Sequence, residues 1–305
     1  MIGSRAFSLA FSLAARGAPA RTLFPHCPLR SPSFSHTVST PLRGARRALS
    51  ASGVSSPDPF VGVRTLLFDL DGTLYSGDAG DRTKEYMTSR IFQYMVERTS
   101  SDSGGDTKFD AITTVEEAKA VWLPLFRRYN QSLRGLKAAG YVIDEGRWNA
   151  FFREGMEELL ERDDALRACL ESLPQRKVVF TNAPEASARK CLEALGVSDL
   201  FVHVYGAETM GSDRCKPERA AFEAVFSVLG VDVDDPGACA EICFFEDSVA
   251  NARAGAALGM QTVLVECSTA QEEGEGDGGK LREEFGAVVN DLGRELRKAA
   301  PGLWL

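Results

Sequence analysis

Phe68-Asp69-Leu70-Asp71-Gly72-Thr73-Leu74-Tyr75 follows directly on the apolar run Thr65-Leu66-Leu67-Phe68. A short run of that composition reads as a strand buried on both faces, the kind found in parallel sheets covered by helices. Open α/β sheets place their sites at the carboxyl ends of such strands. Side chains at i and i+2 of a strand share a face, so Asp69 and Asp71 are expected to work on one reacting centre. Gly72 lets the chain turn away at once.

The same signature recurs downstream. The runs Lys177-Val178-Val179-Phe180, 202–205, Ile242-Cys243-Phe244-Phe245 and Thr262-Val263-Leu264-Val265 end at polar residues, and Ala287-Val288-Val289 can add a last short strand. Helical spacing separates them. Ala188, Cys191, Leu192 and Leu195 precede a stop at Gly196, Pro217 suits the first turn of a helix facing inward through Ala221, Phe222, Val225 and Leu229, and a small-residue helix over 248–258 closes at Gly259. The alternation predicts an α/β fold, a mostly parallel sheet with helices on both faces. Residues 76–165 interrupt it without a strand signal. Ile91, Tyr94 and Met95, then Val121, Leu125 and Phe126, then Trp148, Phe151 and Phe152, then Met156, Leu159 and Leu160 keep helical spacing, with a loop over 100–107. This stretch is expected to be a helical cap domain inserted into a core made of 58–75 and 166–305. Residues 271–280 read as a solvated acidic loop.

With 44% hydrophobic and 26% charged residues over 305 positions, the composition is globular. No stretch approaches the roughly 18 uninterrupted apolar residues that a membrane span needs. The net charge of −8 is uneven: residues 1–57 carry seven Arg, no Lys and no acid, leaving 28 basic residues against 43 acidic ones in the remainder. A basic patch for a nucleic acid polymer is not evident. Residues 1–57, rich in Arg, Ser, Ala and Pro, read as a targeting segment for plastid or mitochondrion. The apolar stretch 6–15 followed by Ala18-Pro19-Ala20 suits a bipartite plastid address, and the region 46–50 can hold a processing site; a disordered tail on a cytoplasmic protein is the alternative. Seven scattered cysteines without a CxxC pair point to reduced thiols and away from zinc.

Four turns carry the chemistry. An ionised Asp69 can attack phosphorus, and Asp71 can shuttle protons if burial or the changed charge of a phosphorylated site raises its pKa. Thr181-Asn182, after the second apolar run, offers a hydroxyl and main-chain N–H groups to a phosphate, although such a pair caps a helix equally well. Lys216, just before Pro217, can neutralise a phosphoryl oxygen as a compact point charge. Glu246-Asp247, after Phe244-Phe245, supplies hard oxygens that suit Mg²⁺ or, alternatively, a favourable charge at a helix start.

In this order, each at a strand end or the following turn, the four resemble the motifs of the haloacid dehalogenase superfamily of phosphohydrolases, over residues 64–267. The resemblance implies a Rossmann-like core with an inserted type C1 cap and an aspartyl-phosphate mechanism. Carried over, Asp69 is the nucleophile, Asp71 the general acid/base, and Thr181 and Lys216 hold the phosphoryl group. Mg²⁺ is bound by the Asp69 carboxylate, the Asp71 main-chain carbonyl and Asp247, with Glu246 in the same cluster. Leu74-Tyr75, Phe180-Thr181-Asn182-Ala183-Pro184, the block 188–201, and Tyr129 with Leu133-Arg134-Gly135-Leu136 look like the pyrimidine 5′-nucleotidase branch of fungi and plants. That implies a nucleoside monophosphate such as UMP or CMP as the small phosphorylated partner. Tyr75, Arg134 and Asn182, flanking the matched segments, are candidate substrate contacts.

Two departures keep other substrates open. Glu185-Ala186-Ser187 stands where the branch commonly has a His, and Glu246-Asp247-Ser248 replaces its Asp-Asp-Ser. The latter form is similar to the β-phosphoglucomutase-like group, which implies a phosphosugar phosphatase or phosphotransferase. An organellar address also suits phosphoglycolate or FMN. A non-enzymatic binding or regulatory protein on the same scaffold would be expected to have lost Asp69, Asp71, Lys216 or Asp247, and all four are present.

Overall fold

The computed structural model describes residues 58–97, 108–211, 213–266, 281 and 283–305. The expected targeting segment, the 100–107 and 271–280 loops, Cys27 and Cys267 lie outside the described residues. In chain order the elements are β1 Thr65–Phe68, α1 Gly77–Glu97, α2 Val115–Tyr129, α3 Ser132–Ala138, α4 Glu145–Phe152, α5 Asp164–Glu171, β2 Arg176–Phe180, α6 Glu185–Ala194, β3 His203–Tyr205, α7 Ala207–Met210, α8 Arg219–Leu229, α9 Pro236–Ala240, β4 Ile242–Glu246, α10 Val249–Ala257, β5 Gln261–Val265, β6 Ala287–Val289 and α11 Leu292–Ala299.

The six strands form one sheet in the order β3-β2-β1-β4-β5-β6, every pair parallel. The order reverses at β1, so β2 and β4 flank it in register, with Phe68 opposite Val179 on one side and Phe245 on the other. A crevice therefore opens beyond the end of β1. Strand side chains divide between two layers, as a period of two requires. Leu66, Phe68, Val179, Phe245, Val263 and Val265 pack with α5, α6 and α11 on one face, while Leu67, Val178, Phe180 and Phe244 meet α8 on the other. Leu264 and Val288 continue that second face against Val249 and Ala252 of α10.

Helices α1 to α4 lie between β1 and β2 and bury their own cluster, including Ile91, Tyr94, Met95, Phe109, Leu136 and Trp148. Helix α2 starts at a capping box, in which Thr114 accepts from the Glu117 N–H and Glu117 answers the Thr114 N–H. Its last turn carries Arg127 and Arg128, favourable at the negative end of the helix dipole. Arg90 of α1 donates to the Phe151 carbonyl (2.9 Å) and lies over the Phe151 ring, tying α1 to α4.

The strand expectations hold to within one residue at each end. One helix start differs. Pro217 lies two residues before α8, which opens at Arg219 with Glu218 as its N-cap residue; the Lys216–Pro217 bond is cis. Cys191, Cys215, Cys239 and Cys243 are buried and Cys169 half-buried, all as free thiols. No helix among the described residues is long and apolar enough to cross a membrane.

Phe68 and Phe245 stack at 4.2 Å between centroids on adjacent central strands, both fully buried. Phe245→Ala removes that ring from a site that cannot collapse, because both neighbours are strands in register. A loss of about 3–5 kcal/mol in urea unfolding is expected; a loss below about 1 kcal/mol would show a core loose enough to refill the space.

Candidate active site

Asp69 stands one residue past β1, and its N–H extends the ladder by donating to the Phe245 carbonyl (2.9 Å). The strand itself stops at Phe68, so the expected strand alternation of Asp69 and Asp71 is not what presents them. Leu70 between them is buried in the core, and Asp71 belongs to the turn. Gly72 adopts φ +82, and a Cβ there would overlap the Asp247 carboxylate, so glycine is required for conformation and for close approach.

Lys216 is the centre of the arrangement. Its Nζ donates to Asp69 Oδ1 (2.7 Å), Glu246 Oε2 (2.7 Å) and the Phe180 carbonyl (2.8 Å). These three acceptors match the three hydrogens of an ammonium. Lys216 and Glu246 are each 1% exposed and Asp69 is 6% exposed. Burial works against the lysine's charge, but Asp69 and Glu246 outweigh it and hold the ammonium protonated. Burial pushes the Asp69 carboxyl well above the usual carboxylate range and Glu246 adds to that push, while Lys216 pulls the other way. The expectation that Lys216 grips a phosphoryl oxygen directly therefore meets an ammonium whose hydrogens are already engaged. Its placement here orients Asp69.

Glu246 uses both oxygens. Oε1 accepts from the Ser248 N–H (3.1 Å) at the start of α10, and Oε2 accepts from Lys216. It serves as counter-ion to Lys216, within the acidic cluster where the sequence expectation placed it. Asp69, Glu246 and Asp247 each bring a carboxylate oxygen to within 4.8 Å of the others. Three carboxyl groups gathered this closely offer hard oxygens, which fits a divalent cation such as Mg²⁺. Asp247, half-buried over Gly72, completes that donor set.

Asp71 has a different partner. Arg153, which follows α4, forms a two-pronged pair with it, Nη1 to Oδ2 at 2.9 Å and Nη2 to Oδ1 at 2.8 Å. Arg153 is 4% exposed, and its Nε donates to Ser187 Oγ (2.8 Å). The Tyr75 hydroxyl also donates to Asp71 Oδ1. Burial raises the Asp71 pKa, but the Arg153 charge and hydrogen bonds, helped by Tyr75, overcome it and hold the carboxyl below the usual range. Proton donation thus demands that Arg153 loosen its grip, a requirement the sequence expectation did not contain.

Thr181, fully buried, spends its N–H on the Tyr205 carbonyl (3.0 Å), while its Oγ1 accepts from the Ala183 N–H (3.0 Å). The hydroxyl keeps a proton to donate, but the Thr181 amide is lost to the sheet. Asn182 caps no helix. Its Oδ1 accepts from the Lys216 N–H (2.9 Å) and its Nδ2 donates to the Lys216 carbonyl (3.2 Å). Arg134 pairs with Glu218 (2.5 Å), beside the lysine loop.

A cavity of about 380 Å³ lies between the helical insertion and the sheet ends. Asp71, Arg153 and Asn182 border it, and Trp122, Phe126, Trp148 and Phe152 form its aromatic wall. Trp122 and Phe126 stack at 4.8 Å. Sequence reasoning missed Arg153, Ser187 and Trp122 as site residues. An arginine after an apolar helix carries no local mark of a buried partner 82 positions away.

The family description "haloacid dehalogenase-like hydrolase" matches residues 63–259, more than half of the chain. This chain belongs to the haloacid dehalogenase-like hydrolases. Within the family's reach, "Phosphate metabolism protein 8" of Saccharomyces cerevisiae is 25% identical over 221 residues, 68% of this chain and 63% of that protein. "Phosphoglycolate phosphatase" of Rhodospirillum rubrum is 39% identical over 70 residues, 23% of this chain and 28% of that protein. The chain thus spans less than two thirds of the length of either relative. Among solved structures, a HAD phosphatase from Thermococcus onnurineus is 19% identical with a TM-score of 0.49, covering 77% of this chain and 97% of that one. The HAD-hydrolase YfnB of Bacillus subtilis bound to magnesium is 18% identical, with the same TM-score of 0.49 and the same coverage, 77% and 97%.

Arg153→Met tests the partner of Asp71. Because Asp71 has a folded pKa below its unfolded one, the pair's stabilisation is complete above about pH 4 and is lost as pH falls through the folded value. The melting-temperature gap between wild type and Arg153→Met is expected to be widest near neutral pH and to shrink below about pH 4. A gap independent of pH would mean that Arg153 contributes packing alone.

Proposed function

We propose that this protein is a Mg²⁺-dependent phosphomonoester hydrolase working through an aspartyl phosphate at Asp69, with a nucleoside monophosphate such as UMP or CMP as substrate. The observation that carries the reading is the pairing of the Asp69–Lys216–Glu246 network with an aromatic cavity bordered by Asp71. Membership of the hydrolase family supports the reaction class. The aromatic wall supports a planar leaving group, since flat rings stack on Trp and Phe at low conformational cost. A small polar leaving group would leave that wall in contact with water.

In this reading residues 76–165 act as a cap over a core of 58–75 and 166–305, and the cap keeps water from the first step. Asp69, Asp247 and the main-chain carbonyl of Asp71 would hold Mg²⁺ with Glu246 behind them, and the ion would neutralise charge on the nonbridging phosphoryl oxygens. Lys216 and Glu246 aim the Asp69 carboxylate. Asp69 forms a bond to phosphorus while the bond from phosphorus to the nucleoside oxygen breaks. Arg153 must first release an Asp71 oxygen so that this carboxylate can take up a proton from water, and the leaving oxygen then departs with that proton. The ionised Asp71 then takes a proton from water as the water oxygen attacks phosphorus, the Asp69 ester breaks, and phosphate departs. Splitting one displacement into two lowers the barrier of each.

Phosphate release by the purified protein with Mg²⁺ provides the test, using UMP, CMP, FMN, phosphoglycolate, β-glucose 1-phosphate and an aryl phosphate. UMP or CMP is expected to exceed the aryl phosphate in kcat/KM by about tenfold or more. Asp69→Asn is expected to lower release by roughly a thousandfold or more. Robust turnover by that variant refutes the nucleophile, and a panel without a nucleotide preference refutes the substrate.

A further inference from the structure

Where α2 hands over to α3, the chain reaches across to the loop that carries Lys216. The Tyr129 carbonyl accepts from the Cys215 thiol (3.7 Å), and Arg134, paired with Glu218, donates to Cys215 Sγ (3.5 Å). Between them, Asn130 Nδ2 donates to the Lys216 carbonyl (3.2 Å) and to Asn251 Oδ1 (3.3 Å). Asn251 is itself buried in the first turn of α10, next to the acidic turn.

Asn130 is the one non-glycine residue with positive φ among the described residues, at 52°. It ends α2, where its N–H caps the Phe126 carbonyl (2.8 Å). Glycine fills such a position without steric cost, so conformation alone does not call for asparagine. What asparagine adds is the amide. The Lys216 carbonyl accepts from two amide side chains, Asn182 of the core and Asn130 of the helical insertion, both at 3.2 Å. A carbonyl has two lone pairs, and both are engaged. The ammonium of the same residue is engaged by Asp69 and Glu246.

We infer that Asn130 is a positioning residue: through the Lys216 carbonyl it registers the helical insertion against the lysine loop, so that the ammonium is set on Asp69 when the insertion is seated. The kinetic consequence rests on the phosphatase reading; the structural consequence does not. Removing the amide frees the lysine loop on the insertion side while Asn182 still holds it on the core side. The loss falls on the turnover step: Lys216 orients the attacking carboxylate and does not line the aromatic cavity, and Asn130, which borders that cavity, spends both amide hydrogens on the Lys216 carbonyl and Asn251 rather than on the cavity.

Two variants separate this role from helix capping. Asn130→Gly keeps the left-handed conformation and drops the amide, and Asn130→Asp keeps the side-chain shape and drops the donor. Amide exchange read by mass spectrometry is expected to quicken over 213–218 in both, with melting temperatures close to wild type. Phosphate release is expected to lose about tenfold in kcat with KM changed less than about threefold. Unchanged exchange over 213–218 in both variants overturns the inference, as does a rise confined to α2, which would leave Asn130 a helix cap and nothing more. If wild type releases no phosphate from any phosphomonoester, the hydrolase reading falls, and the exchange result still decides the role of Asn130.

Discussion

One buried ammonium holds the central strands to a common purpose. Lys216 Nζ reaches the residue after β1, the last carbonyl of β2 and the last side chain of β4 at once. Those strands are adjacent in the sheet, in the order β2-β1-β4. With β1 between β2 and β4, the three ends lie side by side within reach of a single ammonium. Taking a lysine and two carboxylates out of water is costly unless every donor and acceptor is answered, and here every hydrogen of the ammonium is. The network therefore says little about net stability but a great deal about position. Any slip in strand register or in the lysine loop would leave a buried charge uncompensated.

The two aspartates that begin the site owe their different behaviour to their partners. They are two residues apart, yet Asp69 faces Lys216 and Glu246, whereas Asp71 faces Arg153 and Tyr75. Burial and a second carboxylate push the first upward in pKa, and a guanidinium fork holds the second down. Asp71's partner follows α4 of the insertion, so the charge state of Asp71 is tied to the insertion. Asn130 makes the corresponding tie for the lysine loop. The sheet carries Asp69, and the insertion reaches both Asp71 and the Lys216 loop.

Much of this was legible in the chain. Apolar runs ending at Asp69, Thr181 and Glu246 marked three strand ends, because a strand buried on both faces has a composition that a loop or an exposed helix does not. The four turns pointed to the family for the same reason, since chemistry at strand ends needs particular residues in a particular order. What stayed hidden were pairings between distant segments. Arg153 and Asp71 lie 82 positions apart, and Asn130 and Lys216 lie 86 apart. Nothing local to either residue reveals the other. The commitment of Thr181's amide to β3 and of the lysine hydrogens to protein acceptors was equally out of reach, because hydrogen-bond satisfaction is a property of the assembled crevice.

Lys216 is the shared counter-ion of Asp69 and Glu246, and a double-mutant cycle in urea unfolding between Lys216→Met and Glu246→Gln measures that coupling. Lys216→Met alone is predicted to cost about 3–5 kcal/mol by leaving two buried carboxylates without their cation. Adding Glu246→Gln is predicted to recover a part of that loss, giving a coupling of about 1 kcal/mol or more. Strictly additive effects, within about 0.5 kcal/mol, would mean that Lys216 is not the counter-ion of Glu246.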